Sequence, residues 1–295
     1  MGIRYTNLTL YGLSQKDVLD YLSSIKQNSY ISPTENGFTV IYDDSFESVS
    51  ISDKLRKAYE RSALIGVPET HHDEVLAHVR FALSHSQEGQ NKIRGLGVRS
   101  HEILEQYHGT IEGNLVCWAT HLSAQFSCPA LAVYLRDDSQ FWYHLSQDGV
   151  MVDEYTTYAE QDWQPGQPIL SETGVDIKGG DAQKLSAAFG KPEKADEVEV
   201  ILRKPHSYSN YIGFTPFPNY EELLALDGFQ DSVVRHQALA IALGMPLWWV
   251  ISMSYQAIAG GEMEDLFEDY APDGPSSKQA KALLKRAKKT SRRRQ

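Results

Sequence analysis

Between residues 129 and 155 the chain reads PALAVYLRDDSQFWYHLSQDGVMVDEY, three runs rich in β-branched and aromatic residues separated by Asp137-Asp138 and by Asp148-Gly149. An Asp-Gly pair between two such runs specifies a two-residue hairpin, because both central positions of that turn need positive φ. Strands joined by turns this short can only pair antiparallel with their neighbours, and this constrains the fold more than any other feature. The strand period of two then puts Phe141 and Tyr143 on one face and Trp142 and His144 on the other. Aromatic residues on both faces are explained by a sheet lying between a helical layer and a second element.

The N-terminal segment adds strands to the same sheet. TNLTLYG, residues 6 to 12, alternates like a strand; Ser14 and Asp17 then form a capping box before Val18, Leu19, Tyr21, Leu22 and Ile25 at helical spacing. SYISPTENGFTVIYDD reads as two short strands joined by the turn residues Pro33 to Gly37, with Phe38, Val40 and Tyr42 on one face. The opening unit is therefore β-α-β-β.

From Ser50 to Phe126 the period is helical (DKLRKAYERSALI, HHDEVLAHVRFALSH, SHEILEQYH, NLVCWATHLSAQF), with Gly109 to Gly113 as one separator. The expected fold is α+β: a mainly antiparallel sheet packed on helices, with a helical insertion and a helix-rich C-terminal half. Residues 1–155 form the sheet domain with the insertion at about 49–127, and 156–262 form the helix-rich half, opening on a loop or seam at 156 to 178. Asp181 caps GGDAQKLSAAFG and Gly190 ends it; ADEVEVILRK, YEELLALDGF and DSVVRHQALAIALG are further helices, and PLWWVISMSYQAI is expected to run on as a strand. Residues 263–295 are an acidic segment followed by a disordered or helical basic tail.

SCPALAVYLRDDSQFWYHLSQDGVMVDEY, the β-α-β-β start, and the GGDAQKLSAAFG and VVRHQALAIALGMP helices occur here in an order that resembles a group of bacterial α+β proteins of unassigned activity. The resemblance covers about half the chain. It implies continuity of fold and transfers no catalytic residue.

Charge divides the chain sharply. Ser276 to Gln295 carries nine of the 28 Lys/Arg and no acid, so the rest sets 19 cations against all 39 Asp/Glu. Six of those acids lie between Glu262 and Asp273, directly before the tail. Two cysteines, Cys117 and Cys128, are too few for a disulfide scaffold or a four-cysteine zinc site. The N-terminus MGIRYTNLTLYG has no apolar signal-peptide region, and the longest apolar stretch, Ala238 to Met253, is interrupted by Gly244 and Pro246 and falls short of the roughly 20 residues of a bilayer span. A cytoplasmic protein with no membrane span is expected, of undetermined oligomeric state.

Several clusters could carry chemistry. Glu105 and His108 form a Glu-x-x-His pattern, and with His101 they share one helix face, which makes these three the best metal candidate. A di-iron centre needs a second such motif, and Glu69 to His72 follows Pro68 at a helix start and is poorly placed. His71, His78 and His85 recur every seven residues, but each step climbs about 10.5 Å, too far for one ion to hold two of them. Cys117 and His121 lie one turn apart on an apolar helix, where a buried cysteine is the simpler reading. His236 reads as a satisfied boundary histidine. KGGDAQ places two glycines before a helix, yet it lacks a phosphate-loop signature and Asp181 would repel an anion. No cofactor is expected.

These readings converge on a protein-interaction or regulatory protein without chemistry of its own, with an acidic body and a basic tail as contact surfaces. The tail cations are Lys278, Lys281, Lys285, Arg286, Lys288, Lys289, Arg292, Arg293 and Arg294. A metal-dependent enzyme using the 71–108 helices is the first alternative. A nucleic-acid-associated accessory protein acting through the tail is the second.

Overall fold

The structure of the protein is a computed structural model describing residues 4–46, 57, 60, 64, 69–73, 76, 111–136, 140–157, 178–205, 219–229, 232–251, 253–260, 282 and 284–290. Among the described residues eight strands, β1 (Tyr5–Tyr11), β2 (Ser29–Ile31), β3 (Phe38–Asp43), β4 (Pro129–Arg136), β5 (Gln140–Gln147), β6 (Val150–Thr156), β7 (Lys178–Gly179) and β8 (Lys288–Lys289), form one sheet in the order β7-β6-β5-β4-β1-β3-β2-β8. Every neighbouring pair is antiparallel. The fold is α+β.

Local chemistry sets the elements where the sequence marks them. Gln147 pairs with Val150 across Asp148 and Gly149, whose φ values of 53° and 78° are both positive, as a two-residue hairpin loop requires. Ser14 caps α1 (Gln15–Ser24) by accepting from the Asp17 amide at 3.2 Å, and its hydroxyl donates to the Asp17 carboxylate at 2.6 Å.

Two apolar layers enclose the sheet. On one face Tyr5, Phe38, Val40, Tyr42, Phe141, Tyr143 and Tyr155 bury against α3 (Ala182–Ala188), α4 (Ala195–Arg203), α5 (Tyr220–Ala225), α6 (Ser232–Leu243), α7 (Leu247–Val250) and α8 (Tyr255–Gly260). On the other, Leu8, Leu10, Ile41, Ala132 and Trp142 bury against Val18 and Leu22 of α1 and against α2 (Ile111–Phe126). Both faces of β5 are therefore core, since Trp142 and His144 are as buried as Phe141 and Tyr143.

Two expectations are corrected. Gly113 is not part of a separator but is buried within α2. The described residues of the 246–258 stretch, expected as a strand, instead contribute to α7 (Leu247–Val250) and α8 (Tyr255–Gly260). The physical reason is visible at Pro246, which opens α7 just after Gly244 reverses the chain at φ 72°. The buried carbonyls at the end of α7 are then taken by the sheet beneath, Trp249 O by the Tyr42 hydroxyl and Val250 O by Asn7 Nδ2 at 2.8 Å. With those acceptors satisfied, β-prone tryptophans need no strand neighbour.

Candidate functional site

An outer strand presents unpaired backbone groups, and β2 would be such an edge if β3 were its sole neighbour. It is instead covered by the C-terminal segment. Tyr30 pairs with Lys289 and Ile31 with Lys288. The Thr290 amide donates to Ser29 O at 3.0 Å, the Thr290 hydroxyl accepts from the Ser29 amide at 3.1 Å, and the same hydroxyl donates to Gln27 O at 2.6 Å. Gln15 Nε2 reaches across from α1 to Arg286 O at 2.9 Å while also bonding Ile31 O at 3.0 Å. Leu284 and Ala287 pack against the core on the α8 side.

Side-chain chemistry adds to this main-chain pairing. Opposed residues of an antiparallel pair share a face, so Lys289 stands on the face of Tyr30. Its ammonium lies 5.0 Å from the Tyr30 ring centroid and 5.8 Å from that of Tyr255, and the two rings are 5.2 Å apart at 49°. Asn28 holds one ring of the two, since its Nδ2 donates to the Tyr255 hydroxyl and to Asp44 Oδ2, each at 2.6 Å. Partial burial opposes the Lys289 charge, but hydrogen bonding to Tyr30 and Tyr255 outweighs it and the pKa is raised. Arg286 forms an ion pair with Glu35 at 2.9 Å.

Asp43 underlies the same edge. It opposes Ser29 in the β2–β3 register, accepts from the Ser29 hydroxyl and, at 2.9 Å, from the Ser45 amide. Burial pushes its pKa up to about 6 against the pull of those hydrogen bonds. The exposed cation–π contact is worth about 0.5–1 kcal/mol, the exposed ion pair about 0.2–1 kcal/mol and a net hydrogen bond about 1 kcal/mol, so the segment is held by several small terms rather than by one dominant contact.

Four of the nine tail cations fall within the described residues. All four, Lys285, Arg286, Lys288 and Lys289, are exposed, and Arg286 and Lys289 make the contacts described above. Lys278, Lys281, Arg292, Arg293 and Arg294 lie outside the described residues, as do the acidic segment 262–273 and the candidate metal residues His101, Glu105 and His108. Of the histidine series, His71 is exposed at the end of a short 3-10 turn, Glu69–His71, and His78 and His85 lie outside the described residues. Among the described residues no group of three or more His, Cys, Asp or Glu could hold a metal ion.

Cys117 and His121 do not act as a pair. His121 Nε2 bonds the Tyr21 hydroxyl at 2.6 Å, and full burial pushes the Cys117 thiol well up, so it stays protonated. Burial, followed by the Asp148 charge, pushes Cys128 up to about 12. His236 is core rather than boundary: it stacks on Phe141 at 5.0 Å, its Nδ1 bonds the Tyr5 hydroxyl at 2.7 Å, and burial pushes its pKa down to about 3. The KGGDAQ turn borders a cleft of about 360 Å³ between α3 and α4 whose lining includes Asp181, Asp196 and Glu199. Asp181 caps α3 through the Lys184 amide at 3.0 Å, and that bond, against a weaker effect of burial, lowers its pKa. Such a cleft repels anions.

Sequence reasoning missed one constellation. Ser146 Oγ lies 3.0 Å from His144 Nε2, His144 Nδ1 lies 3.9 Å from Glu154 Oε2, and Trp142 Nε1 donates to Glu154 Oε1 at 3.0 Å. Nucleophile, base and orienting acid stand in the order of a hydrolase relay. Yet Ser146 is 0% exposed, His144 is 1% exposed, and the Ser146 hydroxyl also meets Thr120 of α2 at 3.3 Å. A substrate carbonyl cannot reach Oγ while α2 stays in place, so the cluster is a buried polar network. His-x-Ser on one strand face was visible in the sequence; its acidic partner was not, because a register shift between Leu145 and Ser146 sets the pairing.

Among the described residues no helix is long and apolar enough to cross a membrane. Comparison with known protein families, with characterised proteins and with solved structures finds no match to this chain.

Proposed function

We propose that this is a non-enzymatic interaction protein that takes an extended basic segment of a protein partner by strand addition at β2, a place held at rest by its own C-terminal segment. The observation that carries the reading is Lys289, paired in register with Tyr30 while its ammonium rests on the Tyr30 and Tyr255 rings. Strand addition supplies affinity through main-chain hydrogen bonds and specificity through alternate side chains. The resident segment keeps the edge from pairing indiscriminately. A cytoplasmic location accords with the two free, buried cysteines.

The nucleic-acid alternative would need the tail cations to face phosphate, and Arg286 and Lys289 face Glu35 and two tyrosines instead. The test is a pull-down comparing the wild-type chain with a full-length Thr290→Pro variant, which loses the bond to Ser29 O. A protein retained by the variant and displaced by a synthetic copy of residues 284–290 supports the reading. Absence of any protein that the peptide displaces overturns it.

A further inference from the structure

We infer that the β2 edge selects its strand by side chain, recognising an extended peptide of the form Arg-x-x-Lys-Thr. This rests on the interaction reading above and deepens it by naming the ligand.

Three fixed stations, spaced as Arg286, Lys289 and Thr290 are, carry the inference. At the first, Glu35 receives the guanidinium at 2.9 Å while Gln15 Nε2 holds the main-chain carbonyl of the same residue. The main-chain bond fixes the register in which the carboxylate meets its cation. A neutral residue there leaves the half-buried Glu35 to solvent alone.

The second station is the tyrosine pair. The face of an aromatic ring attracts a cation through its quadrupole, and two rings 5.2 Å apart offer two such faces to one ammonium. Asn28 anchors the Tyr255 hydroxyl to Asp44, so part of the platform is oriented within the body of the protein and does not depend on the ligand for its position. Acetylation of the lysine removes the charge that this station reads.

The third station requires a hydroxyl. Thr290 is buried, and its oxygen both accepts from the Ser29 amide and donates to Gln27 O. Valine has the same shape and can do neither, so it would leave a buried N–H without its partner. Serine satisfies both bonds. The side chain of the residue before the lysine, occupied here by Lys288, is exposed and is free to vary.

The experiment uses full-length protein carrying Thr290→Pro, with full-length Lys289→Ala as a second variant of opened edge. Fluorescent peptides copying residues 284–290 are titrated in by anisotropy, alongside forms carrying Arg286→Gln, acetylated Lys289 or Thr290→Val. The parent peptide is expected to bind; acetylation should weaken it about three- to fivefold, and the valine form about tenfold or more. Equal binding of all four peptides overturns the side-chain code and leaves strand addition standing. Failure of the parent peptide to bind either variant overturns strand addition itself.

Discussion

Ser29 and Thr290, 261 positions apart in the chain, exchange two hydrogen bonds: the Thr290 amide donates to Ser29 O at 3.0 Å and the Ser29 amide donates to Thr290 Oγ1 at 3.1 Å. The pairing joins the most basic part of the chain to the edge of the sheet. It converts a charge asymmetry visible in the sequence into a particular contact with Tyr30, Tyr255 and Glu35.

Tyr255→Ala removes one of the two rings under Lys289. The docked segment should then open more often, and trypsin should cleave after Lys288 about three- to fivefold faster than in the wild type. An unchanged cleavage rate would mean that the Tyr255 ring contributes nothing to docking.

Much of the fold was legible because its signals are local. Asp148-Gly149 announces its hairpin, Ser14 with Asp17 announces α1, and the alternation along β3 separates Val40 from Ile41 onto opposite faces. Local period cannot say which strand lies at an edge or which distant segment covers it, so the tail cations were recognised as a group while their receptor was not. Trp248 and Trp249 misled for a related reason. Their strand preference is intrinsic, and the helix they form is made affordable by Tyr42 and Asn7, more than 200 residues away.

Arg235 is 2% exposed and donates to the carbonyls of Ile201, Leu202 and Lys204 at the end of α4, with the Phe229 ring 5.1 Å away. Arg235→Met strands those acceptors and is expected to cost about 3 kcal/mol or more in urea denaturation. Arg235→Lys should recover part of the loss, because an ammonium cannot present the planar fork.

Asp43 and His236 should tilt stability with pH in opposite directions. Folded Asp43 keeps its proton up to about pH 6 while the unfolded chain releases it near 3.8, so this group's contribution falls as pH rises from about 4 to 6, by up to about 3 kcal/mol. His236 has the reverse effect: the unfolded chain binds a proton below about 6.5 and the folded form resists until about 3, so stability falls on acidification through that window. In urea midpoints measured from pH 4 to 7, Asp43→Asn should therefore lose stability more steeply on acidification than the wild type. His236→Gln should lose it less steeply, and parallel profiles for all three proteins would refute both assignments.

Gly179 adopts φ +72°, and an added Cβ would lie 2.0 Å from the Glu154 carbonyl oxygen. Gly179→Ala is expected to destabilise by about 2 kcal/mol or more, since both the backbone and the β6–β7 approach must shift. Gly12 has φ +85° with open space around the added atom, so Gly12→Ala should cost about 1 kcal/mol, from conformation alone. Thermal unfolding of the two variants side by side separates the contributions.

Amide hydrogen exchange at Ser29 and Thr290 in the full-length protein tests the account most directly. Both amides should exchange at least about tenfold more slowly than an open chain, and excess peptide copying residues 284–290 should release Thr290 while Ser29 stays protected, because the incoming strand covers the same edge. Open-chain exchange at Thr290 before any peptide is added, or no change at either amide with peptide in excess, would contradict the claim that the basic segment is an exchangeable strand on β2.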